Sequence, residues 1–165
     1  MASLVALQYG DVAGASRAAA RVARSGRATS DGAALDLAAL STAWWTTHAP
    51  SPRFRPIAVP ASRPLGPAFW GLFFGAVLYL PLVGAALGRT TGTDPGLLAD
   101  LGIGDAFVNR LRDQLVPGTS VLVALLVGSE PAALLEPEVG RDARLPLVAE
   151  LDDAQERALW EVFPA

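Results

Sequence analysis

Between Arg63 and Arg89 run twenty-five residues, PLGPAFWGLFFGAVLYLPLVGAALG, without one charged side chain. A run of about 18 apolar residues or more is long enough to read as membrane-crossing, because about 20 helical residues rising 1.5 Å each match a hydrocarbon layer of about 30 Å. Pro81 divides it, since proline has no N–H to donate and its ring collides with the preceding helical turn. At the helical rise, residues 67–80 give about 21 Å of helix and residues 81–88 about 12 Å, so neither arm crosses a bilayer alone. A single span kinked at Pro81 therefore competes with a re-entrant helical hairpin that turns at Leu80-Pro81. Gly71, Gly75, Gly84 and Gly88 form two small-xxx-small pairs, which let helix backbones approach closely where lipid gives no hydrophobic drive for association. Trp70 and Tyr79 are the candidate interfacial anchors. Phe69, Trp70, Gly71, Gly75, Gly84 and Gly88 are accordingly the candidate residues for membrane contact or self-association.

The flanks decide between span and hairpin. Residues 3–9 (SLVALQY) read as a short buried strand bounded by Gly10, with Asp11 as N-cap of a helix running to about Ser25, where Gly26 stops it. Residues 36–47 and 54–59 read as strands joined by a Pro-rich loop through His48, and 90–95 as a polar turn. Asp105 is expected to cap a helix carrying Phe107, Leu111 and Leu115 on one face and ending at Pro117-Gly118. Residues 119–127 (TSVLVALLV) form a continuous apolar run, the pattern of a strand buried on both faces. A short helix near 131–138, a strand near 145–150 and a helix from Asp152, with Glu156 in capping-box spacing from Asp153, complete the chain. The expected fold is α+β: a single domain over 1–165, a ferredoxin-like βαββαβ sandwich with helices on one face. A glycine-rich helical hairpin is inserted at 64–89, and an αβα extension follows. Strands on both sides of the insertion can share a sheet only after an even number of membrane crossings, or none, which favours the hairpin.

GPAFWGLFFGAVLYLPLVGAALG followed by LGIGDAFVNRLRDQLVPGTSVLVALLV resembles the uncharacterised bacterial membrane-protein family known as domain of unknown function 1269. The glycine-zipper segment with its FWG motif, the acidic-led helix and the Pro-Gly-Thr-Ser lead into a strand carry the likeness over about residues 64–127, and element order extends it to Phe163. The chain departs from the pattern where its second apolar arm breaks at Arg89 into the polar loop 90–96. The resemblance implies a membrane protein and supplies no activity or functional residue to carry over.

Composition removes most chemistries. The chain has no cysteine, no lysine and one histidine, so thiolate metal sites, cysteine nucleophiles and multi-imidazole centres are excluded. His48 reads as an exposed loop residue, no G-x-S-x-G elbow is present, and Gly102-Ile-Gly104 lacks the third glycine of a dinucleotide fingerprint. Asp152-Asp153 reads as a helix start, and Glu136 and Glu138, flanking Pro137, as a solvated turn. No catalytic residue, cofactor or metal is expected.

Charge is uneven: residues 1–63 carry +4 and residues 64–165 carry −7, within a net charge of −3. Arg17, Arg21 and Arg24 share one helical face that can meet an anionic surface, or simply face solvent while Val12, Ala15, Ala19 and Val22 face the sheet. The acidic total and the absence of lysine argue against nucleic acid. The expected function is that of a non-enzymatic, membrane-associated protein that uses the apolar hairpin for bilayer contact or self-association. Membrane lipid or a second copy is its partner, and both termini are cytoplasmic by the positive-inside rule, given Arg53, Arg55 and Arg63 before the hairpin. The alternative is a soluble α+β small-molecule-binding or enzymatic domain with the segment buried as core.

Overall fold

The computed structural model describes residues 1–25, 35–61, 63–78 and 96–165. Gly84, Gly88, Tyr79 and the expected turn at Pro81 lie outside the described residues, as does the polar loop 90–95. The described elements run β1 (Ala2–Tyr9), α1 (Gly14–Ser25), β2 (Leu37–Trp44), β3 (Arg53–Ile57), α2 (Ala68–Leu78), α3 (Gly96–Asp100), α4 (Asp105–Gln114), β4 (Ser120–Val127), α5 (Ala132–Val139), β5 (Arg144–Leu151) and α6 (Asp153–Val162).

The strands form one antiparallel sheet in the order β3-β2-β4-β1-β5. Its centre is the apolar run after the Pro117-Gly118 turn. Gly118 has φ +87°, a conformation that L side chains rarely adopt, and its N–H donates to the Trp45 carbonyl at 2.7 Å, which ties the turn to the end of β2. From there β4 pairs with β1 from Ala2↔Val127 to Tyr9↔Ser120 and with β2 from Leu37↔Leu126 to Trp44↔Ser120. The strand that follows the apolar segment thus sits between the two longest strands that precede it. β3, the third strand in sequence, is an outer edge, and β5 is the other.

Period-two alternation sends the side chains of β4 to opposite faces, and both faces are covered. Val121, Val123 and Leu125 join Leu4, Ala6 and Ala43 in a core closed by α2, α3, α4 and α6. Leu122, Ala124 and Leu126 join Val5, Leu7 and Tyr9 under α1, which presents Ala15, Ala18, Ala19 and Val22, and under Leu134 of α5. Helices lie on both faces rather than one. The physical reason is the sequence of β1 and β4, which have no polar face to leave in water. β5 by contrast alternates, burying Leu147, Ala149 and Leu151 while Val148 remains 40% exposed.

Two helix starts differ from expectation by one residue. Gly104, not Asp105, is the N-cap of α4, and Asp105 is the first-turn acid. In α6 the cap is Asp152: its side chain accepts from the Gln155 N–H, and the Gln155 side chain returns to the Asp152 N–H at 2.9 Å. Asp153 and Glu156 are left to face the Met1 ammonium at 3.0 and 2.9 Å.

Candidate functional site

The described arm of the apolar segment is α2, AFWGLFFGAVL, a helix with no polar side chain on any face. Phe69, Trp70, Phe73, Phe74 and Val77 recur at helical spacing and are buried against the sheet. Their rings interlock with neighbours from across the chain. Phe74 stacks on Phe54 of β3 at 4.7 Å, and Phe69 meets Phe163 edge-on at 5.5 Å. The opposite side shows Gly71, Leu72, Gly75 and Ala76, all half-buried. Phe69 and Trp70 are therefore core residues of this domain, while Gly71 and Gly75 lie on the outer face.

Both ends of α2 are held by distant parts of the chain. Before its start, Trp160 Nε1–H donates to the Arg63 carbonyl at 3.1 Å while the Arg63 guanidinium lies over the Trp160 ring at 5.1 Å. The Gly66 N–H donates to the Phe163 carbonyl at 3.0 Å, and a Cβ at Gly66 would collide with the Pro164 carbonyl. Near its other end Arg112 of α4 reaches across: Nε donates to the Val77 carbonyl at 2.8 Å and Nη2 to the Ala76 carbonyl at 2.7 Å. Nη1 holds Asn109 Oδ1 at 2.7 Å, so the guanidinium is oriented from its own helix.

The three arginines of α1 are on the other face of the sheet and do not act as one stripe. Arg17 pairs with Asp11, which holds that carboxyl below its usual range, and Arg24 is exposed. Arg21 turns inward to Glu138 of α5, donating from Nε to Oε1 at 3.2 Å and from Nη2 to Oε2 at 2.8 Å. The Tyr9 hydroxyl donates to the same Oε2 at 2.9 Å. Glu138 is 4% exposed, so the expectation of a solvated turn is corrected for Glu138, whereas Glu136 is exposed. Both lie in α5, and Glu138 is buried there because two donors await it. Burial alone would push the Glu138 carboxyl up, but the Arg21 guanidinium and the Tyr9 hydroxyl outweigh it and hold the group below the usual carboxylate range. Burial and then the Glu138 carboxylate push the Tyr9 phenol up. This polar cluster locks α5 onto β1 and α1. Because α1 and α2 cover opposite faces, Arg17 and Arg24 do not share a plane with the outer side of α2.

His48 is exposed in the β2–β3 loop. Among the described residues no helix is long and apolar enough to cross a membrane, and no group of His, Asp and Glu is placed to hold a metal ion. A shallow cleft of about 30 Å³ lies between Asp36, Ala38, Arg63, Val127, Glu156 and Trp160; its Arg63 and Glu156 already have partners in Trp160 and the Met1 ammonium.

A family model described as a protein of unknown function, DUF1269, matches residues 65–164, beginning at the apolar segment and running through α6. No curated protein and no solved structure matches the chain.

Proposed function

On the premise that this chain belongs to the DUF1269 family of unknown function, we propose that it is a non-enzymatic, membrane-associated protein whose apolar segment meets the bilayer. The observation that carries this reading is α2 itself, an outer-layer helix without one polar side chain. A helix that covers a sheet normally turns a polar side to water, as α1 does with Ser16, Arg17 and Arg24. Beyond α2 the sequence continues uncharged to Gly88, which lengthens the apolar run available for lipid contact. The inner face of α2, with Leu72 and Ala76 also packed on the core, fastens the segment to the domain, and its Gly71 and Gly75 side belongs with the contact surface. Neither cofactor nor metal enters this function, and nucleic acid is not a partner.

The topology supports a segment that enters and leaves on one side, because β4 pairs with both β1 and β2 across it. By the positive-inside rule, Arg53, Arg55 and Arg63 favour the cytoplasm for that side and for both termini. The order β2-β4-β1-β5, with β1 and β2 both antiparallel to the β4 between them, also supports a ferredoxin-like reading of the core, β3 and α2 being additions to it. Burial of five large side chains of α2 favours a second reading, a soluble domain that uses the whole segment as core. Protease treatment of sealed right-side-out vesicles carrying terminally tagged protein tests the first. Both tags are expected to survive until detergent is added. Loss of one tag alone contradicts the same-side topology, and absence of the protein from the vesicles favours the soluble domain.

A further inference from the structure

Hydrogen bonds in an antiparallel sheet alternate sides along each strand, so one anchored bond fixes which residues face an edge. The Gly128 N–H donates to the Met1 carbonyl at 3.1 Å, while the Val127 N–H turns the other way, to the Asp36 carbonyl at 2.9 Å. The even residues of β4 therefore bond to the odd residues of β1, which leaves Ala2, Leu4 and Ala6 to bond Leu151, Ala149 and Leu147 of β5. Val148 and Glu150 consequently aim their N–H and carbonyl groups outward, at an edge where no described residue pairs with them. Pro146 closes that edge at one end because it has no N–H. Asp152 closes it at the other, its N–H being held by the Gln155 side chain at 2.9 Å. These two stops lie three residues to either side of Ala149. The opposite edge, β3, is shut differently: the Trp45 N–H bonds to Thr119, so the even residues of β2 bond to Arg53, Arg55 and Ile57, and the outward Pro56 offers no donor.

We propose that the β5 edge docks a second copy of this chain, strand against antiparallel strand, across a two-fold axis through Ala149. In that register Val148 of each copy lies opposite Glu150 of the other, and every outward N–H and carbonyl of the two residues is used. The pairing ends on each side where Pro146 meets Asp152, neither of which has an N–H to give. An edge whose donors and acceptors are symmetric about one residue is what an isologous contact requires, whereas an unrelated extended peptide needs no such symmetry. Leu147 then faces Leu151 of the other copy, and Val148, 40% exposed in one chain, gains a cross-strand neighbour. The contact uses the sheet edge rather than the outer side of α2, so it does not depend on the membrane reading above.

Sedimentation of the purified full chain in nonionic detergent, together with cysteine cross-linking, tests the assignment. Wild type is expected to sediment as two chains. Val148→Pro removes an outward donor and spares every bond to β1. It is expected to keep the circular dichroism of wild type while the dissociation constant of the pair rises at least about thirtyfold, the loss of two hydrogen bonds. Because the chain has no cysteine, an introduced one can cross-link only to its counterpart in another copy. Ala149→Cys sits on the axis in a non-hydrogen-bonded pair with Cα atoms about 4.5 Å apart, within disulfide reach. Under mild oxidation it is expected to form the covalent pair faster than Val148→Cys or the exposed His48→Cys. This arm stands even where Val148→Pro fails to fold. A monomeric wild type, a folded Val148→Pro protein that stays fully paired, or cross-linking no faster at 149 than at 48 overturns the docking edge. Faster reaction at 148 than at 149 overturns the axis through Ala149.

Discussion

Phe73→Ala is expected to destabilise the folded domain by about 3–5 kcal/mol, the usual cost of emptying a fully buried phenylalanine site. Phe73 is completely buried, and its ring centroid lies 5.8 Å from Phe69, 5.8 Å from Trp70, 5.1 Å from Phe74 and 6.4 Å from Phe107. Removing it takes dispersion contacts from α2 and α4 together. Since whole domains are stable by only about 5–15 kcal/mol, the variant should unfold at a much lower urea concentration and lose near-ultraviolet signal first. An unchanged midpoint would mean that α2 is an appendage rather than the cover of one sheet face.

Arg21→Met should cost a similar amount for a different reason. The substitution preserves the long apolar stem that lies along α1 but leaves the Glu138 carboxylate buried with only the Tyr9 hydroxyl. Breaking a buried pair in this way costs about 3–5 kcal/mol, whereas replacing both partners by apolar residues is often nearly neutral. Arg21→Met with Glu138→Leu is thus expected to recover most of the loss. The same pair sets a pH dependence. Because the folded carboxyl of Glu138 titrates below its unfolded value of about 4.3, its stabilisation is complete above that pH and is lost as the pH falls through the folded value. Urea midpoints measured between neutral and acidic pH should fall more steeply for wild type than for the double variant. Parallel curves would remove Glu138 from the account.

Local chemistry made the sheet legible. β4 announced itself through an unbroken apolar run after Pro-Gly, and β1 through another bounded by Gly10; such runs predict burial on both faces. What covered the second face was not legible, because a fully apolar helix reads the same whether sheet or lipid receives it. In α2 the spacing of Phe69, Phe73 and Val77 was visible, but glycines and alanines on the other side erased the polar contrast that marks a surface helix. Glu138 was misread for a related reason. Pro137 beside it resembles a turn, and the partner that makes burial tolerable, Arg21, is 117 residues away in the chain. Arg112 and Trp160 had no local signature either: each acts on a backbone carbonyl brought near by tertiary structure.

Alkaline carbonate extraction of cells expressing the full chain, followed by detergent, tests membrane association most directly. The account predicts that the protein stays with the membrane pellet in carbonate and is released by detergent, because α2 and the uncharged run after it hold it through apolar contact rather than charge. Recovery of the wild-type protein as a monomer in the soluble fraction, with Phe73→Ala still strongly destabilising, would contradict that claim and leave the apolar segment as core alone.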